Sequence, residues 1–190
     1  MFTRFYKDLR FLKCQKALTP GRLPCLMKML FDPTLCICLN YRISQFWSRH
    51  KMLFISKFFW ALNFFVFHVD LDPRSDLAGG CLFIHPIGIV VGANVRSKGY
   101  LKIYQGATLG GSFDNVLEID GTTVSQPVIG DYTLIGPGAK VLGPLKIISY
   151  SIVGANSVVT KSPKVNGLIL GSQTIQNHEY LKEFDKWPKH

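Results

Sequence analysis

The stretch IGDYTLIGPGAKVLGPLKIISYSIVGANSVVTKSPKV, residues 129–165, decides the fold. Ile129, Ile135, Val141, Ile147, Val153, Val159 and Val165 stand six residues apart without a miss. Small residues recur four positions after an anchor, as Thr133, Ala139, Ser151 and Ser157, and Gly130, Gly136 and Gly154 directly follow one. A period of six is neither the 3.6 of a helix nor the 2 of a half-buried strand. It fits short strands that each turn one large side chain inward and then bend, three to a triangular coil of a parallel β-helix. Successive coils stack at the strand spacing of ~4.8 Å, and stacking buries an apolar face that no single coil could bury alone. A sandwich with accidental spacing would not hold phase through seven anchors.

Working outward, the same beat runs through Leu71, Leu77 and Phe83, slips by two residues, and resumes at Val91, Ile103 and Leu109, with Ser97 as its weak member. The slip spans CLFIHPIGIVVG, residues 81–92, and carries a lone histidine, His85, ahead of a proline. Between Leu109 and Ile129 the beat stops: the anchors stand two positions further apart than three units would place them. The intervening GGSFDNVLEIDGTTVSQPV, residues 110–128, reads as an excursion from one corner of the coil, with a short strand over Val116 to Ile119. Loops of this kind carry function on a regular scaffold.

Residues 1–68 read as helical. Leu35, Leu39, Ile43 and Phe46/Trp47 recur at helical spacing after the start signal Asp32-Pro33, with Arg42 and Arg49 left for the other face, while Pro20-Gly21 and Pro24 break the preceding segment. The run MLFISKFFWALNFFVFHV, residues 52–69, is intensely apolar but interrupted by Lys57, Asn63 and His68. It suits a helix packed into an oligomer or lying at a membrane surface, and it stands at the short edge of what spans a bilayer.

Composition narrows the partners. Hydrophobic residues make up 47% and charged ones 18%, lean in charge for a monomer, which points to apolar surface covered in an assembly. The formal charge is +10, but no zinc-finger spacing, RNA-binding aromatic motif or long basic block accompanies it, so no nucleic acid is expected. Five cysteines, Cys14, Cys25, Cys36, Cys38 and Cys81, form neither a metal-binding spacing nor an even set for disulfides. A reducing cytoplasm fits, and the first twenty residues do not form a signal peptide.

Several stretches resemble serine O-acetyltransferases and their relatives: HPIGIVVG at 85–92, YQGATLGG at 104–111, IGPGAKVLG at 135–143, IVGANSVV at 152–159 and, upstream, LFDPTLCICLNYRISQFW at 30–47. The likeness covers about residues 25–175. It implies a left-handed coil, acetyl-CoA as acyl donor with no metal, and a homotrimer, with pairing of trimers left open. It also implies active sites between adjacent chains. By this resemblance His85 is the catalytic base and Asp70 the acid that orients it; the two stand a little less than one coil of three units apart. Imidazole suits the removal of a proton from an alcohol attacking a thioester, and a carboxylate on its far nitrogen steadies the imidazolium. Backbone N–H groups in the Gly110-Gly111 turn are candidates to hold the oxyanion. The resemblance further implies that Gly111, Pro137 and Ala155 line the groove for the pantetheine arm, with Gly136 and Gly154 allowing close backbone approach, and that Lys161 lies near the nucleotide end, to meet its phosphates.

Two positions depart from that pattern. Ile84 stands where serine acetyltransferases carry an aspartate before the base, and Gln126-Pro127 replaces a His-Pro at the end of the excursion. Ile84 cannot neutralise an ammonium group and Gln126 suits a neutral hydroxyl-rich acceptor, so as substrate-binding positions they point to a sugar hydroxyl. The expectation is therefore a polysaccharide or sugar O-acetyltransferase, taking a saccharide acceptor in surface polysaccharide or capsule biosynthesis. It would work in the cytoplasm, with peripheral contact at the inner face of the membrane. Serine O-acetylation in cysteine synthesis and a non-catalytic binding or assembly module are the alternatives. The expected organisation is a helical region over 1–68 for oligomer or membrane-surface contact, an acyltransferase coil over 69–175 with its excursion at 110–128, and a tail over 176–190.

Overall fold

The computed structural model describes residues 1–15, 32–112, 115–176 and 178–189. The break at Pro20-Gly21 and Pro24, and Cys25, lie outside them. Three helices, α1 (Phe2–Gln15), α2 (Pro33–Arg49) and α3 (Leu53–Phe67), precede strands that wind as a left-handed parallel β-helix. The first sheet stacks β1 (Asp70–Leu71), β3 (Val90–Val91), β6 (Thr108–Gly110), β11 (Lys140–Leu142) and β14 (Val158–Val159). The second stacks β4 (Arg96–Ser97), β9 (Val128–Ile129) and β12 (Lys146–Ile147). The third stacks β2 (Cys81–Ile84), β5 (Leu101–Tyr104), β10 (Thr133–Ile135), β13 (Ser151–Val153), β15 (Leu168–Leu170) and, antiparallel at its end, β16 (Gln173–Ile175).

The six-residue beat is the inward ladder of these sheets. Leu71, Val91, Leu109, Val141 and Val159 line the first, Leu77, Ser97, Ile129 and Ile147 the second, and Phe83, Ile103, Ile135, Val153 and Ile169 the third, all buried. Ser97 is tolerated among them because its hydroxyl accepts the Ala78 N–H at 2.9 Å. Val165, the last anchor of the sequence count, is 39% exposed: the second side of the coil has frayed by that point, and the next buried anchor is Ile169, paired with Val153 on the third sheet. Thr133 pairs with Ser151, the equivalent position three units further along, as a three-sided coil requires.

The excursion is larger than the anchor count suggests. Thr108 pairs with Lys140, where an unbroken coil would have offered it Gln126, so a stretch longer than two repeat units leaves the coil and Leu109 and Ile129 are consecutive anchors. That stretch builds an antiparallel hairpin of β7 (Leu117–Ile119) and β8 (Thr122–Val124), where the sequence suggested a single strand. Asp120 and Gly121 form its two-residue turn with φ of 50° and 70°, the left-handed pair that an Asp-Gly dipeptide favours. Asp120 also meets Lys98 and Lys146, each at 2.7 Å, and the two lysines hold its carboxyl down to about 2.

The helices are fastened to the first coil by buried polar groups, and here the sequence reading is corrected. Arg42, assigned above to an open face, is 1% exposed. Its guanidinium donates to both Asp8 carboxylate oxygens, at 2.8 and 3.1 Å, and to the carbonyls of Leu77 and Ala78. Asp8 in turn accepts from Gly80 N–H and Cys81 N–H at 2.8 and 2.7 Å. The buried side of α2 is accordingly Ile37, Cys38, Tyr41, Arg42, Ser44 and Gln45, while Leu39 is 40% exposed. Asp32 caps α2 through the Thr34 N–H at 2.9 Å, with Pro33 in its first turn.

The outer side of the third sheet is covered by both ends of the described chain. Phe11 of α1 meets Trp187 at a ring separation of 4.6 Å, and both pack with Leu82, Tyr100, Tyr132 and Phe184. The tail is thus a 3₁₀ segment, His178–Lys186, followed by a buried tryptophan. Lys102 ties it down through Glu183 at 2.7 Å. On α3, Phe54 and Phe65 are 89% and 71% exposed. Among the described residues no helix is long and apolar enough to cross a membrane.

Candidate active site

The two-residue slip is a bulge at the corner between the third and first sheets. Ile84 pairs with Tyr104 and Val90 with Thr108, so five residues on one coil face three on the next. The extra length pushes His85 out of the wall, where it is exposed. Its φ is +48°, left-handed and ahead of a proline, a conformation that a non-glycine residue holds only when its surroundings impose it. Here the Ile87 N–H closes onto the His85 carbonyl at 2.6 Å and the Gly88 N–H onto the His68 carbonyl at 2.9 Å.

Asp70 begins the first sheet beside the same corner, its N–H bonded to the Ile89 carbonyl at 2.9 Å. Asp70 and His85 therefore share a corner on neighbouring coils, but no hydrogen bond joins them among the described residues. The Asp70 carboxylate instead accepts from the indole Nε1 of Trp60, on α3, at 2.9 Å. It borders a cleft of about 400 Å³ that Lys57, Asp72 and Arg74 also line. Burial pushes the Asp72 carboxyl up, but hydrogen bonds from Arg74 outweigh it and hold the group below the usual carboxylate range.

Below His85 the same corner repeats. Gly106 N–H bonds Ile87, Gly138 N–H bonds Gln105, and Asn156 N–H bonds Pro137, each at 2.8 Å, so Pro137 and Ala155 continue the column that His85 heads. A Cβ on Gly136 would stand 2.7 Å from the Val153 carbonyl, so coil stacking alone demands that glycine, whereas one on Gly154 would first meet the movable end of the exposed Leu170 side chain. Gly110 is different: its nearest neighbours would be 3.9 Å from an added Cβ.

The remaining sequence candidates lie elsewhere. Gly110, Gly111 and Gln126 sit at the corner between the first and second sheets, where Gln126 accepts the Asn94 N–H at 3.0 Å and packs against Gly111. Lys161 lies further down that side, exposed, in a cleft of about 640 Å³ with Lys164 and Ser162. Ile84 points outward onto the aromatic cluster of Phe11 and Trp187. One chain thus divides the candidates between two corners, with His85 on one and Gln126 on the other. Trp60 was missed in the sequence, where it reads as one more aromatic in an apolar run. No group of three or more metal-ligating side chains occurs among the described residues.

Residues 126–161 match the model described as bacterial transferase hexapeptide (six repeats). The serine acetyltransferase of Staphylococcus aureus strain Mu50 is 32% identical over 160 residues, covering 76% of this chain and 72% of that protein. That of Mycobacterium tuberculosis is 37% identical over 103 residues, covering 54% of this chain but only 42% of its own length. Among solved structures, Neisseria gonorrhoeae serine acetyltransferase in complex with serine is 27% identical with a TM-score of 0.70, covering 86% of this chain and 66% of that one. Serine acetyltransferase isoform 3 of Entamoeba histolytica, in complex with cysteine, has a TM-score of 0.72 at 22% identity, covering 92% and 59%.

These likenesses overturn the expectation of a sugar O-acetyltransferase, and with it the saccharide acceptor and the place in polysaccharide or capsule biosynthesis. The physical reason is that the expectation rested on two uncharged side chains. Ile84 is taken up by packing against the aromatic cluster and Gln126 by the Asn94 backbone, so neither residue reports on the acceptor.

Proposed function

Because the chain belongs to the serine acetyltransferase family of hexapeptide-repeat transferases, we propose that it transfers the acetyl group of acetyl-CoA to the hydroxyl of serine. The observation that carries this reading is the 32% identity to a serine acetyltransferase across 72% of that enzyme. The bulge at His85 supports it, since the imidazole stands free of the coil wall on the column that Pro137 and Ala155 continue.

In this mechanism His85 removes the hydroxyl proton as the oxygen attacks the thioester carbonyl, and the thiolate of CoA leaves. Asp70 stabilises the imidazolium from the adjoining coil. The pantetheine arm follows the column past Pro137 and Ala155, and backbone N–H groups near Gly110 and Gly111 face the oxyanion. Lys161 meets the phosphates. Because His85 and the Gly110-Gly111 turn occupy different corners, the site is completed by a second copy, in a homotrimer whose chains meet corner to corner. The exposed face of α3, which ends at the His85 corner, is available to that contact. Ile84 and Gln126 carry no charge, so the ammonium and carboxylate of serine find their partners on the neighbouring copy or in the cleft beside Asp70.

The test is thiol release from acetyl-CoA with serine as acceptor, compared between the protein and His85→Ala. Serine-dependent release that falls ~10²- to 10⁴-fold in the variant is the expected result. Absence of serine-dependent release in the unaltered protein overturns the choice of acceptor, and an active variant overturns the assignment of the base.

A further inference from the structure

We propose that Trp60 is a positioning residue for the base at the His85 corner, acting through Asp70; the proposal rests on the reading of His85 and Asp70 as base and acid partner. The Asp70 side chain has a single hydrogen bond among the described residues, the one it accepts on Oδ1 from the Trp60 indole N–H at 2.9 Å. Without that bond a half-buried carboxylate at the mouth of a cleft turns freely about its side-chain torsions. With it, Oδ1 is fixed against α3 and Oδ2 is left for another donor, such as an imidazole N–H.

No other side chain of the cleft bonds Asp70 among the described residues. The cleft in front of Asp70 is lined by Ser48, Ser56 and Lys57, by Asp72 and Arg74, and by the apolar Leu53 and Pro73. Arg74 is committed to Asp72, with bonds of 3.0 and 2.7 Å, and Ser56 to the Ser44 carbonyl at 2.9 Å. Lys57 is exposed and makes no ion pair among the described residues, and His68, two residues before Asp70, is exposed at the end of α3. Trp60 itself is braced: its ring stacks on Phe64 with centroids 5.3 Å apart and planes 25° apart. An apolar helix thereby delivers one polar hydrogen to the corner where a base needs a carboxylate of fixed orientation. Second partners of this kind set the orientation and basicity of the groups they hold.

The experiment compares the unaltered protein with Trp60→Phe, which keeps a ring and removes the N–H, and with Trp60→His, which keeps a ring N–H. Phe64→Leu serves as a control that thins the stack but leaves the bond. Two readouts are taken: the NMR titration of His85, assigned by its loss in His85→Gln, and the kinetics with acetyl-CoA and serine. Loss of a fixed carboxylate partner disfavours the imidazolium, so in Trp60→Phe the His85 titration moves to lower pH and kcat falls ~10-fold, with KM for acetyl-CoA unchanged. Trp60→His recovers part of both effects and Phe64→Leu shows neither. A His85 titration in Trp60→Phe that overlays the unaltered protein overturns the proposal, as does an equal shift in Phe64→Leu, which would make the effect one of packing. The titration needs no acceptor. A protein that shifts as expected but leaves serine untouched refutes the reading of the acceptor and not the role of Trp60.

Discussion

The coil and its helical cap bury their interiors in opposite ways. Inside the coil each rung repeats the one above it, with ladders such as Phe83, Ile103, Ile135, Val153 and Ile169 buried in near-identical settings. Between cap and coil the most deeply buried contact is made by Asp8 and Arg42, an ion pair within the cap, both 1% exposed at the side chain, that bonds the backbone groups of Leu77, Ala78, Gly80 and Cys81, while Arg4 and Arg49 add more exposed ion pairs to Asp76. The coil is held by redundancy, and the buried part of the junction by one arrangement of charges. Damage to the coil should therefore be shared among rungs, while damage to the junction should be felt whole.

The largest effect is expected at the junction. Arg42→Ala strands the Asp8 carboxylate in a buried site and should cost ~3–5 kcal/mol in urea-induced unfolding. Asp8→Leu with Arg42→Met should not restore that loss, because the Gly80 and Cys81 N–H groups and the Ala78 carbonyl then lose their partners. If the double replacement does restore it, the pair serves only to fill the space between the helices. A methyl group removed from the coil, as Ile135→Val, should cost only ~0.5–1.5 kcal/mol in the same measurement. A larger loss there would break the contrast between redundant and singular contacts. The smallest effect on global stability is expected at the excursion. Asp120 is held down to about 2 by hydrogen bonds from Lys146 and Lys98, so its contribution is present above its ordinary value near 4 and is lost as pH falls through about 2. Amide exchange across 115–125 should thus be indifferent to pH-driven loosening from pH 7 to 4, once intrinsic exchange is corrected for, and accelerate only in stronger acid.

The same contrast governs what the sequence could disclose. A contact repeated every six residues writes itself into the sequence repeatedly, so the ladders and the slip at His85 were legible from spacing alone. Val165 was misread because a period does not show where a coil frays. The excursion was undercounted because two adjacent anchors looked like three missing units, although the Asp120-Gly121 dipeptide carried the hairpin signal. Arg42 was misplaced for a deeper reason: its partner lies far away at the other end of the helical cap, and a buried arginine has the same letter as an exposed one. Phe184 and Trp187, close together in a charged tail, were a signal of a packed segment that composition obscured. At the site, the bulge was readable, whereas the division of its residues between two corners and the bond from Trp60 depend on how the corners turn.

The aromatic seal over the third sheet has a consequence in time. Cys14 and Lys186, whose thiol and carbonyl meet at 3.0 Å, are separated by 172 positions in the chain. During synthesis Phe11 and Leu12 leave the ribosome long before Phe184 and Trp187 exist to cover them, and the growing coil must wind with one flank unsealed. Contacts of such separation form late and slowly. The segment 178–187 therefore acts as a closing step on the nascent molecule, and a ribosome stalled or a message truncated before Phe184 would release a finished coil with a sticky side.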